Sequence, residues 1–209
     1  MNNALSEVKH GIIAKGYVKI TDINTGEVVF DGCNDINPEN LSYAIAQSLC
    51  GEAALDGGLL GSIYQMRFGN GGTTVIAGED RIYYRKPRTT TISSLYNDTY
   101  GKVINKSLDS SVDSNYNSVK SVHIPGQVYS DIIATCTLQM NEPVSQSTTD
   151  SSTIAGISTS SSSKDEYVFD ELGLYDYSGK HLTHIIFHPI QKAANRILQI
   201  KYTVRIQLV

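Results

Sequence analysis

The sequence predicts a mainly β protein, an antiparallel β-sandwich of jelly-roll type with one short helix near residues 38–50. Three observations predict it. In Arg196–Leu208 the apolar residues Leu198, Ile200, Tyr202, Val204, Ile206 and Leu208 alternate strictly with Gln199, Lys201, Thr203, Arg205 and Gln207, the period-two pattern of a strand with one buried face. The chain has thirteen tyrosines, four phenylalanines and no tryptophan, a bias that suits half-exposed sheets, where a ring packs while its hydroxyl stays wet. Finally, helical periodicity is clear in one segment only, Pro38–Cys50.

Taken in order, Tyr17–Asp22 and Glu27–Phe30 read as two strands of a hairpin, with Asn24-Thr25-Gly26 as the turn. Asn37 is a good N-cap and Pro38 fits the first helical position, so a helix is expected there with Leu41, Ala44, Ile45, Ser48 and Leu49 on one face and Gly51 ending it. After the loop Asp56–Gly61, Ile63–Phe68 reads as a strand that stops at Gly69-Asn70-Gly71-Gly72-Thr73, where glycines would permit positive φ. Thr89–Val128 is rich in Ser, Thr, Asn, Asp and Tyr and reads as a long, partly β excursion. Asp131–Met140 restores alternation, with Ile132, Ala134, Cys136, Leu138 and Met140 on one face and Pro143 beyond it. Tyr167–Tyr175, Leu182–Phe187 and the final strand follow in succession and suggest an antiparallel meander.

At 209 residues the chain could form one large β domain or two small ones. Between Ser145 and Ser163, thirteen of nineteen residues are Ser or Thr, too few apolar groups to repay the entropy of ordering. Strand patterns on both sides read as one sheet system, so residues 1–209 are expected to form a single β-rich domain with a flexible loop or arm at about 145–163.

Composition excludes several classes. No stretch approaches the roughly 18 apolar residues of a membrane span, and MNNALSEVKHG lacks the basic and apolar segments of a secretory signal. Cys33, Cys50 and Cys136 are odd in number and widely spaced, which fits small buried residues in a reducing compartment rather than a disulfide framework or metal pair. The net charge of −4 gives no global support for capture of nucleic acid. A local patch, Arg81–Arg88, mixes Tyr83 and Tyr84 with Arg81, Arg85, Lys86 and Arg88 as single-strand binders do; a solvated loop or subunit contact is the expected role.

The chemistry-bearing residues are sparse. His181, His184 and His188 would share a helical face with zinc-like spacing, but Leu182–Phe187 is strand-like and Pro189 stops a helix. On a strand only His184 and His188 share a face, and without a nearby cysteine or carboxylate they read as packing or hydrogen-bonding groups. Asp170 and Glu171 are adjacent and would point to opposite faces of a strand, which argues against a paired acid and base. The glycine turn is not a phosphate loop, because Gly72 is followed by Thr73-Thr74-Val75 and not by a lysine at a helix start. No catalytic residue, metal or cofactor is therefore assigned.

Met66-Arg67-Phe68-Gly69-Asn70-Gly71-Gly72-Thr73, Asp170-Glu171-Leu172-Gly173-Leu174-Tyr175 and Leu182-Thr183-His184-Ile185-Ile186-Phe187-His188-Pro189, in that order and followed by a long strand, resemble virion structural proteins of large tailed bacteriophages. The resemblance implies a non-enzymatic part of the neck or collar, tail or baseplate, made in the host cytoplasm and located in the virion. It implies a homo-oligomeric ring or sleeve that contacts neighbouring virion proteins, without a membrane or sequence-specific nucleic acid. A tail-tip module binding a receptor or carbohydrate through tyrosines and polar loops is the alternative. A hydrolase assisted by a metal on His184 and His188 is the third possibility.

Overall fold

Among the residues described, 11–50, 60–76, 81–143 and 166–209, the computed structural model holds eleven strands and one helix. The hairpin forms from β1 (Ile12–Asp22) and β2 (Val28–Ile36). Its turn is held by Asp22, whose Oδ1 accepts the Asn24 and Thr25 amides at 2.9 and 3.3 Å, and by Gly26 at φ 76°, a conformation that costs glycine little. The helix α1 (Pro38–Cys50) begins where Asn37 accepts the Asn40 amide on its side chain at 3.1 Å, an N-cap bond. Asn40, Leu41, Ala44 and Gln47 are buried, whereas Leu49 is 82% exposed. The buried stripe is thus rotated from the expected one, because it includes the polar Asn40 and Gln47, and Leu49 and Ser48 face out.

The remaining strands are β3 (Ile63–Gly69), β4 (Thr73–Val75), β5 (Ile82–Tyr84), β6 (Asp98–Val103), β7 (Ser118–His123), β8 (Tyr129–Leu138), β9 (Glu166–Asp176), β10 (Thr183–Ala193) and β11 (Leu198–Leu208). Nine form one antiparallel sheet in the order β6-β3-β9-β10-β2-β1-β11-β8-β7, and β4 pairs with β5 separately. The sheet curls at the short β2–β10 junction, where Thr183 pairs with Ile36 and His184 with Asp35. Its two halves then face each other: Ile20, Leu138, Leu198 and Ile200 of one meet Phe68, Phe169, Phe187 and Ile190 of the other. Phe30–Phe187 and Phe68–Phe169 ring pairs, 5.4 and 5.2 Å between centroids, lie in this interior. Each such side chain contributes roughly 1.5–3 kcal/mol by leaving water.

The last strand behaves as its alternation predicts, with Leu198, Ile200, Tyr202 and Val204 no more than 2% exposed. The expected meander is not formed. Although β9 pairs with β10, β11 lies between β1 and β8, in register with Ile12–Asp22 on one side and Tyr129–Leu138 on the other. A long strand has two rows of backbone donors and acceptors to satisfy, and β1 and β8 match its length. Arg196 lies at the crossing between the layers, its guanidinium bonded to Asp22 at 2.5 Å and to the Gln191 carbonyl at 2.7 Å.

Two further expectations change. Cys136 is buried, but Cys33 and Cys50 are exposed, and all three are free thiols. Met140 falls beyond β8 and is 54% exposed. The Ser/Thr-rich loop or arm at 145–163, the helix-ending Gly51, most of the loop at 56–61 and the leading residues 1–10 lie outside the described residues. Among the described residues no helix is long and apolar enough to cross a membrane.

Candidate functional site

The three segments that carry the motif pattern meet at one place. In β9 the core-facing residues are Tyr167 and Phe169, then Leu172 and Leu174, so the alternation slips by one between Phe169 and Leu172. The partner strand β10 slips too, with its register broken between Ile186 and Ile190. As a result Asp170 and Glu171, expected on opposite faces, both serve the turn that follows β3. A bulge of this kind re-aims side chains.

Asp170 accepts the Gly72 amide at 2.8 Å, the Thr73 amide at 2.8 Å and the Thr73 hydroxyl at 2.5 Å. Glu171 Oε1 accepts the amides of Gly71 at 3.2 Å and Asn97 at 2.8 Å, while Oε2 accepts the Tyr96 amide at 2.9 Å and His184 Nε2 at 3.0 Å. The Arg88 amide donates to His184 Nδ1 at 2.8 Å, which places the imidazole proton on Nε2, facing Glu171. Asp170, Glu171 and His184 are all 0% exposed. Burial of charge is tolerated when donors replace water. Burial alone would raise Glu171, but the His184 N–H and the Asn97 and Tyr96 amides outweigh it and hold the carboxyl below its ordinary value. For Asp170 burial prevails over its three donors and pushes the carboxyl up to about 6.

The glycines of the turn are required for space rather than for positive φ, since none of them has a positive φ. A Cβ on Gly69 would lie 2.4 Å from the Asn97 carbonyl oxygen and 2.5 Å from Glu171 Oε1; one on Gly72 would lie 2.9 Å from Ile186 Cγ2 and 3.0 Å from the Asp170 carbonyl. The backbone must come this close for the carboxylates to reach its amides.

The histidines separate. His184 is inside the knot, whereas His188 lies within the break in β10 and is exposed, 3.4 Å from the Tyr84 hydroxyl through Nδ1. The expected shared face of His184 and His188 is therefore not formed. His181, 1% exposed, stacks on Tyr175 at 4.8 Å, and its Nε2 has no hydrogen-bond partner among the described residues. Burial, with His184 nearby, pushes His181 down to about 4. Both nitrogens of His184 are committed, and each Glu171 oxygen accepts two N–H groups, so neither residue has a lone pair aimed at a cation. Among the described residues no group of three or more His, Cys, Asp or Glu is placed to hold a metal ion.

What the knot holds are the described parts of the segment from Gly69 to Asn97, residues 69–76 and 81–97. Its outward face carries Arg81, Tyr83, Tyr84, Arg85 and Lys86, all exposed. The Tyr96 ring has the Arg88 guanidinium over it at 3.9 Å and that of Arg85 at 4.8 Å, contacts that draw cations to an aromatic face, while the Tyr96 hydroxyl donates to the Lys86 carbonyl at 2.9 Å. The basic and aromatic patch of the sequence is thus a built surface on a buried polar pedestal. Tyr96 and Asn97 belong to the pedestal, yet no local pattern in the sequence marks them. No protein-family model, no curated protein and no solved structure matches the chain.

Proposed function

We propose that this chain is a non-enzymatic structural protein of a tailed-bacteriophage virion. It assembles in many copies as a ring or sleeve at the neck or collar, tail or baseplate, beside neighbouring virion proteins, after synthesis in the host cytoplasm. The observation that carries the reading is the use made of the polar motif residues. Asp170, Glu171, His184 and Thr73 spend their hydrogen bonds on fixing a loop, and the loop turns rings and cations outward. Such a construction presents a contact surface; a nucleophile or base would need a free, reachable lone pair. The segments of the phage resemblance are the ones that build it, which supports an inherited structural role. Mass spectrometry and a cryo-electron microscopy map of purified particles test the proposal: several copies per particle are expected, and absence of the chain from infectious particles would refute it.

The alternative, a tail-tip module that binds carbohydrate, is favoured by one separate feature. Beside α1 an open groove of about 670 Å³ is lined by Glu39, Ser42, Tyr43, Thr91 and Lys180, with Lys180 Nζ 3.6 Å from the Tyr43 ring centre. A ring edged by hydroxyl and charged groups suits a sugar. Glycan binding that disappears in Tyr43→Ala would support this second reading, and no binding to any glycan would remove it.

A further inference from the structure

The chain has six arginines, and the fold treats them in two ways. Arg67, Arg196 and Arg205 are ion-paired with Asp98, Asp22 and Asp131 at 2.9, 2.5 and 2.8 Å. Arg81, Arg85 and Arg88 have no carboxylate within 4.0 Å among the described residues, although the chain as a whole carries a net charge of −4. Counting Glu79 and Asp80, which precede Arg81 in the sequence, residues 79–88 still hold four cations against two anions. Two of the unpaired arginines are also held in place. The Arg85 amide donates to the Gly72 carbonyl at 2.9 Å, which extends the β4–β5 pairing by one residue, and the Arg88 amide is fixed on His184. Both guanidiniums converge on one ring, that of Tyr96, whose own amide is bound by the buried Glu171. Their side-chain N–H groups have no acceptor among the described residues. A guanidinium held against a ring in this way still offers its planar fork of donors, and loses less side-chain freedom when an anion arrives.

We infer that Arg85 and Arg88, seated on the Tyr96 ring, bind paired carboxylates of an acidic segment in a different protein. The inference rests on the contact-surface reading above and names the chemistry of the partner. Carboxylates match the guanidinium fork with two parallel hydrogen bonds each. Single-stranded nucleic acid fits less well, because it needs free ring faces for successive bases and a cationic track along the strand. Here the guanidiniums already occupy the Tyr96 ring, and Tyr83 and Tyr84 are consecutive in β5 and so face opposite sides. The cations also stop at Arg88, with none following before Lys102. A second copy of the chain fits less well too. Among the described residues no three carboxylates come close enough together to share a cation, and two chains of net charge −4 repel each other at a distance.

Fluorescence anisotropy on the full chain, with circular dichroism as a check on folding, tests the inference. The probes are a labelled peptide of repeating Glu-Glu-Gly, its counterpart of repeating Gln-Gln-Gly, and labelled oligothymidylate. The wild-type chain is expected to bind the glutamate peptide and not the glutamine peptide. Arg85→Ala with Arg88→Ala should weaken that binding at least about tenfold. Arg85→Lys with Arg88→Lys keeps both charges but loses the fork, and should weaken it at least about threefold. Lys201→Ala with Arg205→Ala removes the same charge elsewhere and should change affinity by less than about twofold. Four results overturn the inference: no binding of the glutamate peptide, a lysine pair equal to wild type, equal losses in the two alanine pairs, or tighter binding of oligothymidylate. So does self-association of the wild-type chain in sedimentation velocity that the Arg85 and Arg88 substitutions abolish, since the acidic partner is then a second copy. If the glutamate peptide does not bind while the chain occurs in several copies per particle, this inference fails and the virion reading stands; binding that depends on Arg85 and Arg88 in a chain absent from particles gives the reverse.

Discussion

Glu171→Gln removes one oxygen from the centre of the knot with almost no change in volume. Each Glu171 oxygen accepts two N–H groups, so a glutamine keeps one accepting oxygen and turns an amide NH₂ toward two donors. The glutamine cannot escape by flipping, because both sides present donors. Nor can His184 shift its proton, because its Nδ1 already accepts the Arg88 amide. Two buried donors are left unpaired at roughly 1–3 kcal/mol each, partly offset by relief of a buried charge, for a net loss of about 3–4 kcal/mol. For a chain of this size that corresponds to a melting temperature lower by roughly 10 °C. Thermal and urea unfolding measure it, and amide exchange should accelerate at Tyr96 and Asn97 before other sites. The pH dependence gives an independent check. The folded Glu171 carboxyl is held below its ordinary 4.5, so its contribution is present above that pH and fades as pH falls through the folded value. The gap between wild type and variant should therefore narrow below pH 4.5; Asp170 does not cancel from the difference, since the Glu171 charge is one of the causes that raise it. A loss under about 1 kcal/mol at neutral pH, or one that stays constant on acidification, refutes the reasoning.

Other substitutions probe separate parts. Gly69→Ala should cost more than about 2 kcal/mol in urea unfolding because its Cβ meets backbone, whereas Gly101→Ala, whose Cβ would lie 3.3 Å from the movable end of Gln65, should be near neutral. His181 is held at about 4 against an ordinary 6.5; the unfolded chain binds the extra proton between these values, so acidification from pH 6.5 to 4 should remove roughly 3 kcal/mol through this group. His181→Phe should lack that component when unfolding free energies are compared across the same range. Arg85→Ala with Lys86→Ala should leave unfolding unchanged within about 0.5 kcal/mol and act, if anywhere, on co-sedimentation with particle proteins. Val204→Asp, at 1% exposure, should prevent folding, in contrast to Lys201→Ala with Arg205→Ala, which should leave a folded chain by circular dichroism.

Much of the fold is legible because period and burial coincide. The β11 alternation, the β1–β2 turn residues and the Asn37-Pro38 helix start each have a local cause, and the structure keeps all three. What escaped is non-local. Leu49 has a core-compatible side chain, but the helix was rotated by Asn40, whose amide reaches the His181 carbonyl at 2.8 Å across the chain. Asp170 and Glu171 look like neighbours on opposite faces until paired slips in β9 and β10 turn both one way, and no residue type at Phe169–Leu172 announces the slip. The turn at Gly69 was visible, yet its reason was not, because the groups that exclude a Cβ, Asn97 and Glu171, lie elsewhere in the sequence. Of the site itself, the patch at Arg81–Arg88 was apparent and its pedestal was not.

The pairing of Ile12–Asp22 with Leu198–Leu208 has a consequence for how the molecule is made. Strand β11 joins β1 to β8, so the middle of the five-stranded half is closed by a segment synthesised after the ten strands before it. Contacts of such high sequence separation slow folding. Until β11 arrives, the nascent chain must carry β1 and β8 with open edges and half-covered apolar faces, the condition in which chains aggregate. Yield from expression should therefore depend on temperature and chaperone supply more steeply than the melting point of the finished protein suggests, and a chain cut before Leu198 should collect in the insoluble fraction.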